Sequence, residues 1–193
     1  MKILIISDEE SRFLWDFFDR DRLSDVELII SAGDLHVDYL SFLVTMMPVP
    51  LFYVRGNHDK RFANRPPLGC DSLEDTVRVF GGLRIGGLGG CMSGNPDGEF
   101  EFDERGMSKR VDKLLRKSHG KLDIFVSHAP AEGLGDGDDF FHKGFACYRR
   151  LLDKAKPQAH VYGHVHKSYG VEPPTSYNDT RLFNACGYKI IEI

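Results

Sequence analysis

Three apolar runs in the first 54 residues each stop abruptly at polar side chains, and this pattern constrains the fold more than any other in the chain. The runs cover residues 2–7 (KILIIS), 27–31 (ELIIS) and 51–54 (LFYV). They are continuous rather than alternating, as expected of strands covered on both faces. Between them, residues 11–20 place Phe13, Leu14, Phe17 and Phe18 at helical spacing. Residues 37–46 read as a second helix, broken by Pro48 and Pro50. Strands alternating with short helices predict parallel pairing. In such sheets ligands bind beyond the carboxyl ends of the strands. Asp8, Asp34 and Asn57-His58 lie just past those ends, so this topology would gather them on one rim.

The remainder is less regular. Residues 76–90 (TVRVFGGLRIGGLGG) read as two strands joined at Gly81-Gly82, followed by a Gly-, Asn- and acid-rich loop over 91–103. Residues 105–117 form a basic amphipathic helix, its Lys109, Arg110, Lys113, Arg116 and Lys117 read as a solvated face. A strand at 122–127 leads into a long Gly/Asp-rich loop, a kind more often functional than idle in a compact domain. A helix over 144–154, a strand at 158–162 and two short strands within 180–193 complete the chain. The fold class expected is α/β, in a single domain spanning 1–193.

With 41% hydrophobic and 28% charged residues, 193 positions suit one soluble domain with ample core. A net charge of −4 gives no basic footprint of a nucleic-acid binder, although a local basic groove is left open. The four cysteines contain no C-x-x-C pair and read as reduced thiols of a cytosolic protein. No apolar run approaches the roughly 20 residues that a membrane span needs, so the expected location is the cytoplasm.

Five strand ends carry residues of metal-binding type: Asp8 with Glu10, Asp34, Asn57 with His58, His128, and His164 with His166. Each alone has an ordinary explanation. An Asp after a strand is commonly a turn or capping residue, and a lone His is commonly a surface or satisfied core group. Turn chemistry does not account for five such ends together, several with a glycine that permits close backbone approach.

These motifs resemble the calcineurin-like metallophosphoesterase superfamily, whose pattern runs D-x-H, G-D, G-N-H-D/E, a histidine after a strand, and G-H-x-H. Here they stand as Asp8-Glu9-Glu10, Gly33-Asp34, Gly56-Asn57-His58-Asp59, Ser127-His128 and Gly163-His164-Val165-His166. The resemblance implies a two-sheet sandwich flanked by helices, in the order α-β-β-α. It implies two divalent metals bridged by Asp34, with Asp8 and His166 at the first and Asn57, His128 and His164 at the second. Manganese is the first expectation, with iron, zinc or nickel as alternatives. His58 would be catalytic, facing the phosphoryl oxygens or the leaving group, with Asp59 counted beside it and orienting it. The implied activity is hydrolysis of a phosphomonoester or phosphodiester by a metal-bridging hydroxide, and the implied partner a small phosphate ester rather than nucleic acid.

The chain departs from the pattern at Glu10, where D-x-H supplies an imidazole. In one reading Glu10 ligates, and a third carboxylate shifts preference toward harder Mn2+. In the other Glu10 points away and leaves the first site weak, which would suit a non-catalytic scaffold of the same fold. Asp136, Asp138, Asp139 and His142 in the long loop either contact substrate or form a solvated acidic turn. The glycines of GGLRIGGLGG read as tight turns near the site.

Overall fold

The computed structural model describes residues 1–93, 98–166 and 174–193. The first apolar run forms β1 (Lys2–Ser7), whose alternate residues enter two different cores. Leu4 and Ile6 face one, Ile3 and Ile5 the other, the two-residue alternation of a strand. β2 (Leu28–Ser31), α1 (Val37–Met46), β3 (Leu51–Tyr53) and a short β4 (Asp71–Ser72) follow, and β1 to β4 all pair in parallel.

Residues 11–20 are not a helix. They wind through successive turns and end at a single 3-10 turn, Asp21–Leu23. Distant partners place the rings: Phe13 stacks on Tyr188 near the C-terminus, and Trp15 and Phe18 meet α1. Trp15 stacks on Tyr39 at 5.2 Å and meets Phe42 at 5.2 Å, while Phe18 meets Phe42 edge-on at 5.8 Å. Tertiary stacking overrides local spacing here.

β5 (Thr76–Phe80) and β6 (Leu83–Leu88) form the expected hairpin, with Gly81 and Gly82 both at positive φ. Gly86 and Gly87 lie inside β6 rather than in turns, and a Cβ on Gly87 would meet Leu73 at 2.5 Å. β7 (Cys91–Met92) and β8 (Glu101–Phe102) make a separate two-stranded ribbon. Part of the loop expected between them, 94–97, lies outside the described residues. α2 (Glu104–Lys117) is capped by Asp103, whose carboxylate accepts from the Gly106 N–H at 2.6 Å.

The rest comprises β9 (Ile124–Ser127), α3 (Ala146–Ala155), β10 (Ala159–Tyr162), β11 (Ser176–Tyr177), β12 (Thr180–Asn184) and β13 (Gly187–Glu192). One sheet runs β13-β1-β2-β3-β4 and the other β11-β12-β10-β9-β6-β5. Between the sheets lie Ile3, Ile5, Leu28, Ile30, Ile124, Val126 and Val161. The outer face of the first sheet packs on α1 through Leu40 and Leu43. That of the second packs on α2 and α3 through Met107, Val111, Tyr148 and Leu151. The result is the expected α/β sandwich of two sheets flanked by helices.

One basic residue of α2 is not solvated. Arg110 is largely buried, donating to Glu74 at 2.7 Å, Asp75 at 2.9 Å and the Gly89 carbonyl at 2.7 Å. Its partners lie in the β5–β6 region, out of reach of a helical-wheel reading. The four cysteines form no disulfide with one another. No helix among the described residues is long and apolar enough to cross a membrane.

Candidate metal centre

The carboxyl ends of β1, β2, β3, β9 and β10 converge on one rim. Three residues there hold left-handed backbone despite carrying a β-carbon: Asp8 (φ 60°), Asp34 (φ 57°) and His164 (φ 68°). Such conformations are uncommon outside glycine and concentrate at functional sites.

Asp34 stands at the middle. One carboxylate oxygen accepts the His58 N–H at 2.9 Å, and the other lies 3.2 Å from His128 Nε2. His128 is fully buried, and its Nδ1 is 2.8 Å from the Ala32 carbonyl. A carbonyl can only accept, so Nδ1 carries the proton and Nε2 is left facing Asp34. Asn57 Oδ1 sits 3.2 Å from the same Nε2. Two oxygen acceptors therefore converge on one ring nitrogen, which requires a proton or another cation between them. Burial would lower the His128 pKa, but Asp34, by charge and hydrogen bond, pushes it up to about 10. Burial likewise opposes ionisation of Asp34, yet His128 and the His58 N–H lower its carboxyl to about 2.

His164 is locked in the opposite tautomer. Its Nε2 donates to the Phe141 carbonyl at 2.7 Å, leaving Nδ1 as the lone-pair nitrogen. Burial depresses its pKa to about 3, so the ring is a neutral donor. Ligand atoms of Asp34, His128 and His164 all lie within 4.8 Å of one another. Hydrogen bonds on the outer ring nitrogens are the usual means of aiming imidazoles at a metal.

Glycines shape the cradle. A Cβ on Gly56 would lie 2.0 Å from Asp34 Oδ1 and 2.7 Å from His128 Cε1, and one on Gly163 would lie 2.5 Å from Asp8 Oδ2. Any side chain there would fill the space the donors surround. Both Asp8 oxygens accept the His164 N–H, at 3.1 and 3.0 Å. Burial raises the Asp8 carboxyl despite the neighbouring His128, and Asp34 adds to the rise. This cradle of N and O donors fits a divalent cation.

A family model for calcineurin-like phosphoesterases matches residues 1–168. The chain belongs to that family. The chain is also 31% identical over 132 residues to a UPF0046 protein of Caenorhabditis elegans, covering 63% of the chain and 43% of that relative. It therefore spans less than half the length of the curated relative it matches. Among solved structures, one crystal structure aligns with a TM-score of 0.71 at 13% identity, covering 98% of this chain and 94% of its own. TT1561 of Thermus thermophilus aligns at 0.64 and 14% identity, covering 96% and 89%. At these identities the likeness is one of fold.

Within this family member, the residues expected at the second metal, Asp34, Asn57, His128 and His164, are together. Those expected at the first are dispersed. Asp8 stands beside the group, on the His164 backbone. His166 instead meets Glu9, Nδ1 to Oε1 at 3.1 Å. Glu10 accepts the His36 N–H at 3.3 Å, beside the start of α1, where His36 is the N-cap. His58 is the open member, its side chain 78% exposed and Nε2 4.0 Å from Asp34. Asp59 is buried and holds the backbone N–H groups of Asp34 and Gly56, each at 2.8 Å, through one oxygen. Burial pushes its carboxyl up to about 6.

Three contributors escaped the sequence reading. The Phe141 carbonyl belongs to the long acidic loop, where Asp136 and Asp139 are spent on that loop's own amides. Glu9, which meets His166, is hidden by the D-x-H spacing, which points to Glu10. Cys186 lies near Glu9 and His166. It sits just past β12, so the strand-end rule applied to the last strands would have found it.

Proposed function

We propose that the chain is a metal-dependent phosphoesterase acting on a small phosphomonoester or phosphodiester. One arrangement supports this most: the donors of Asp34, Asn57, His128 and His164 converge in a glycine-lined cradle directly beneath the exposed His58. Divalent cations held there, two in the family pattern with manganese first, would polarise a phosphoryl oxygen and activate a water.

The chain's own residues divide the remaining tasks. Asp34, Asn57, His128 and His164 would hold one cation, and the family pattern assigns the other to Asp8 and His166, with Asp34 bridging the two. Ala32 and Phe141, through their carbonyls, fix which imidazole nitrogen faces inward. His58, tethered by its N–H to Asp34, offers a solvent-facing imidazole. It would hydrogen-bond a phosphoryl oxygen or deliver a proton to the leaving oxygen, an effect typically worth about 10²–10⁴-fold. Asp59 positions Asp34 and Gly56 rather than substrate. Phe140 and Phe141, both exposed, stand on the loop that reaches His164 and would meet the organic part of a small ester.

The test is a screen of chromogenic phosphomonoesters and phosphodiesters with each divalent metal, comparing the parent with His58→Ala. Turnover that falls at least about 10²-fold in the variant at unchanged metal content supports the proposal. Full metal occupancy without turnover of any ester would leave a metal-stabilised scaffold of the same fold.

A further inference from the structure

We infer that Glu9, His166 and Cys186 form a sulfur-containing metal site of their own beside the Asp34 centre. Their ligand atoms, a carboxylate oxygen, an imidazole nitrogen and a thiol sulfur, all lie within 4.8 Å of one another. Glu9 and His166 are 157 residues apart in sequence yet meet at 3.1 Å.

The backbone builds this convergence. Left-handed Asp8 turns the chain as it leaves β1, and Glu9 follows, facing His166. Glu10 is held elsewhere, by the His36 N–H. Cys186 is fixed from three directions. It bridges Ser7 at the end of β1, its N–H donates to Asn184 Oδ1 at 2.9 Å, and the preceding Ala185 N–H bonds the Tyr162 carbonyl at the end of β10 at 2.7 Å. The thiol is thereby set between the two strand ends that carry Glu9 and lead to His166. Cys186 is buried, His166 partly buried and Glu9 exposed, so the three donors grade from core to solvent.

A carboxylate, an imidazole and a thiolate form a softer set than the N/O donors around Asp34. Thiolate ligation favours zinc, and cobalt as its spectroscopic substitute, over manganese. The chain would then hold unlike metals at neighbouring positions. The inference shares His166 with the phosphoesterase reading, and its test lets the two fail separately.

The full chain, stripped of metal and titrated with Co2+, is expected to develop a sulfur-to-cobalt charge-transfer absorption in the near-ultraviolet. That band persists in Asn57→Ala, disappears in Cys186→Ser, and needs at least about 10-fold more cobalt in Glu9→Gln. Zinc-loaded parent shows a metal–sulfur distance of about 2.3 Å by X-ray absorption. Circular dichroism confirms that Cys186→Ser is folded, and exposed Glu9 supplies an independent variant should it not be. Cobalt bound without the band, or a band unchanged in both Cys186→Ser and Glu9→Gln, overturns the inference. If esters are still hydrolysed in that case, the phosphoesterase reading stands alone. A sulfur band with no turnover under any metal leaves the site and removes the activity.

Discussion

The carboxylate of Asp59 reaches back 25 residues to accept the backbone N–H of Asp34 at 2.8 Å, with the same oxygen that holds Gly56. One buried side chain thus locks the loops after β2 and β3 in register. Asp59→Ala strands two amide donors and is expected to lower stability by about 3 kcal/mol, with metal content falling. Asp59→Asn keeps a carbonyl oxygen for both donors and should stay within about 1 kcal/mol of the parent. Urea unfolding with parallel elemental analysis checks both.

Gly56 has no strained dihedral, so its replacement isolates the space it leaves. A methyl group there would collide with Asp34 Oδ1 and His128 Cε1. Gly56→Ala is expected to weaken metal binding by about 10–100-fold, the range seen when ligand orientation is disturbed. Isothermal titration of the apo protein measures it. Unchanged affinity would mean that the cradle is not where the cation binds.

Arg110 ties α2 to Glu74, Asp75 and the Gly89 carbonyl from a nearly enclosed position. Arg110→Met leaves the largely buried Glu74 carboxylate without its cation, held only by the Arg55 and Gly89 N–H groups, and should cost about 3 kcal/mol. Arg110→Lys should recover less than half of that, because one ammonium cannot span the three acceptors that a guanidinium fork reaches. Chemical denaturation of both variants tests the comparison.

His160 gives the fold an acid-sensitive element away from the rim. It is fully buried, stacked on Phe125 at 4.7 Å and bonded to Ser127 Oγ at 2.7 Å, with no partner for Nδ1 among the described residues. Burial pushes its pKa down to about 3, against about 6.5 in an unfolded chain. The folded value is depressed, so the stability this group contributes is complete above about pH 6.5 and is lost as pH falls toward 3, at up to about 1.4 kcal/mol per pH unit. His160→Gln should flatten the acid limb by one proton's worth between those limits, leaving other titrating groups in common. Unfolding free energies of the metal-free parent and variant, measured across pH 7 to 4, decide it.

Much of this architecture is legible in the chain because burial on both faces writes β1, β2 and β3 as unbroken apolar runs. The glycines beside Asp34, Asn57 and His164 mark where those runs turn. Legibility fails where a distant partner decides the outcome. Phe13, Leu14, Phe17 and Phe18 are spaced for a helix, but Phe18 settles on Phe42 and its neighbour Trp15 on Tyr39, so residues 11–20 run as turns instead. Arg110 belongs to an outward-looking basic pattern until the β5–β6 hairpin supplies its anions. The choice between Glu9 and Glu10 turns on the left-handed step at Asp8, which residue counting does not register. Phe141 contributes a carbonyl, and a main-chain atom has no signature in side-chain chemistry.

At positions 8, 34 and 164 the backbone itself favours glycine by roughly 1 kcal/mol or more apiece. Breeding this molecule for heat tolerance alone would press on those three places first, and success there would erase its donors one at a time. Durability and ion capture pull against each other at Asp8, Asp34 and His164, and a library screened only for survival on heating would reveal that opposition as a loss of bound metal.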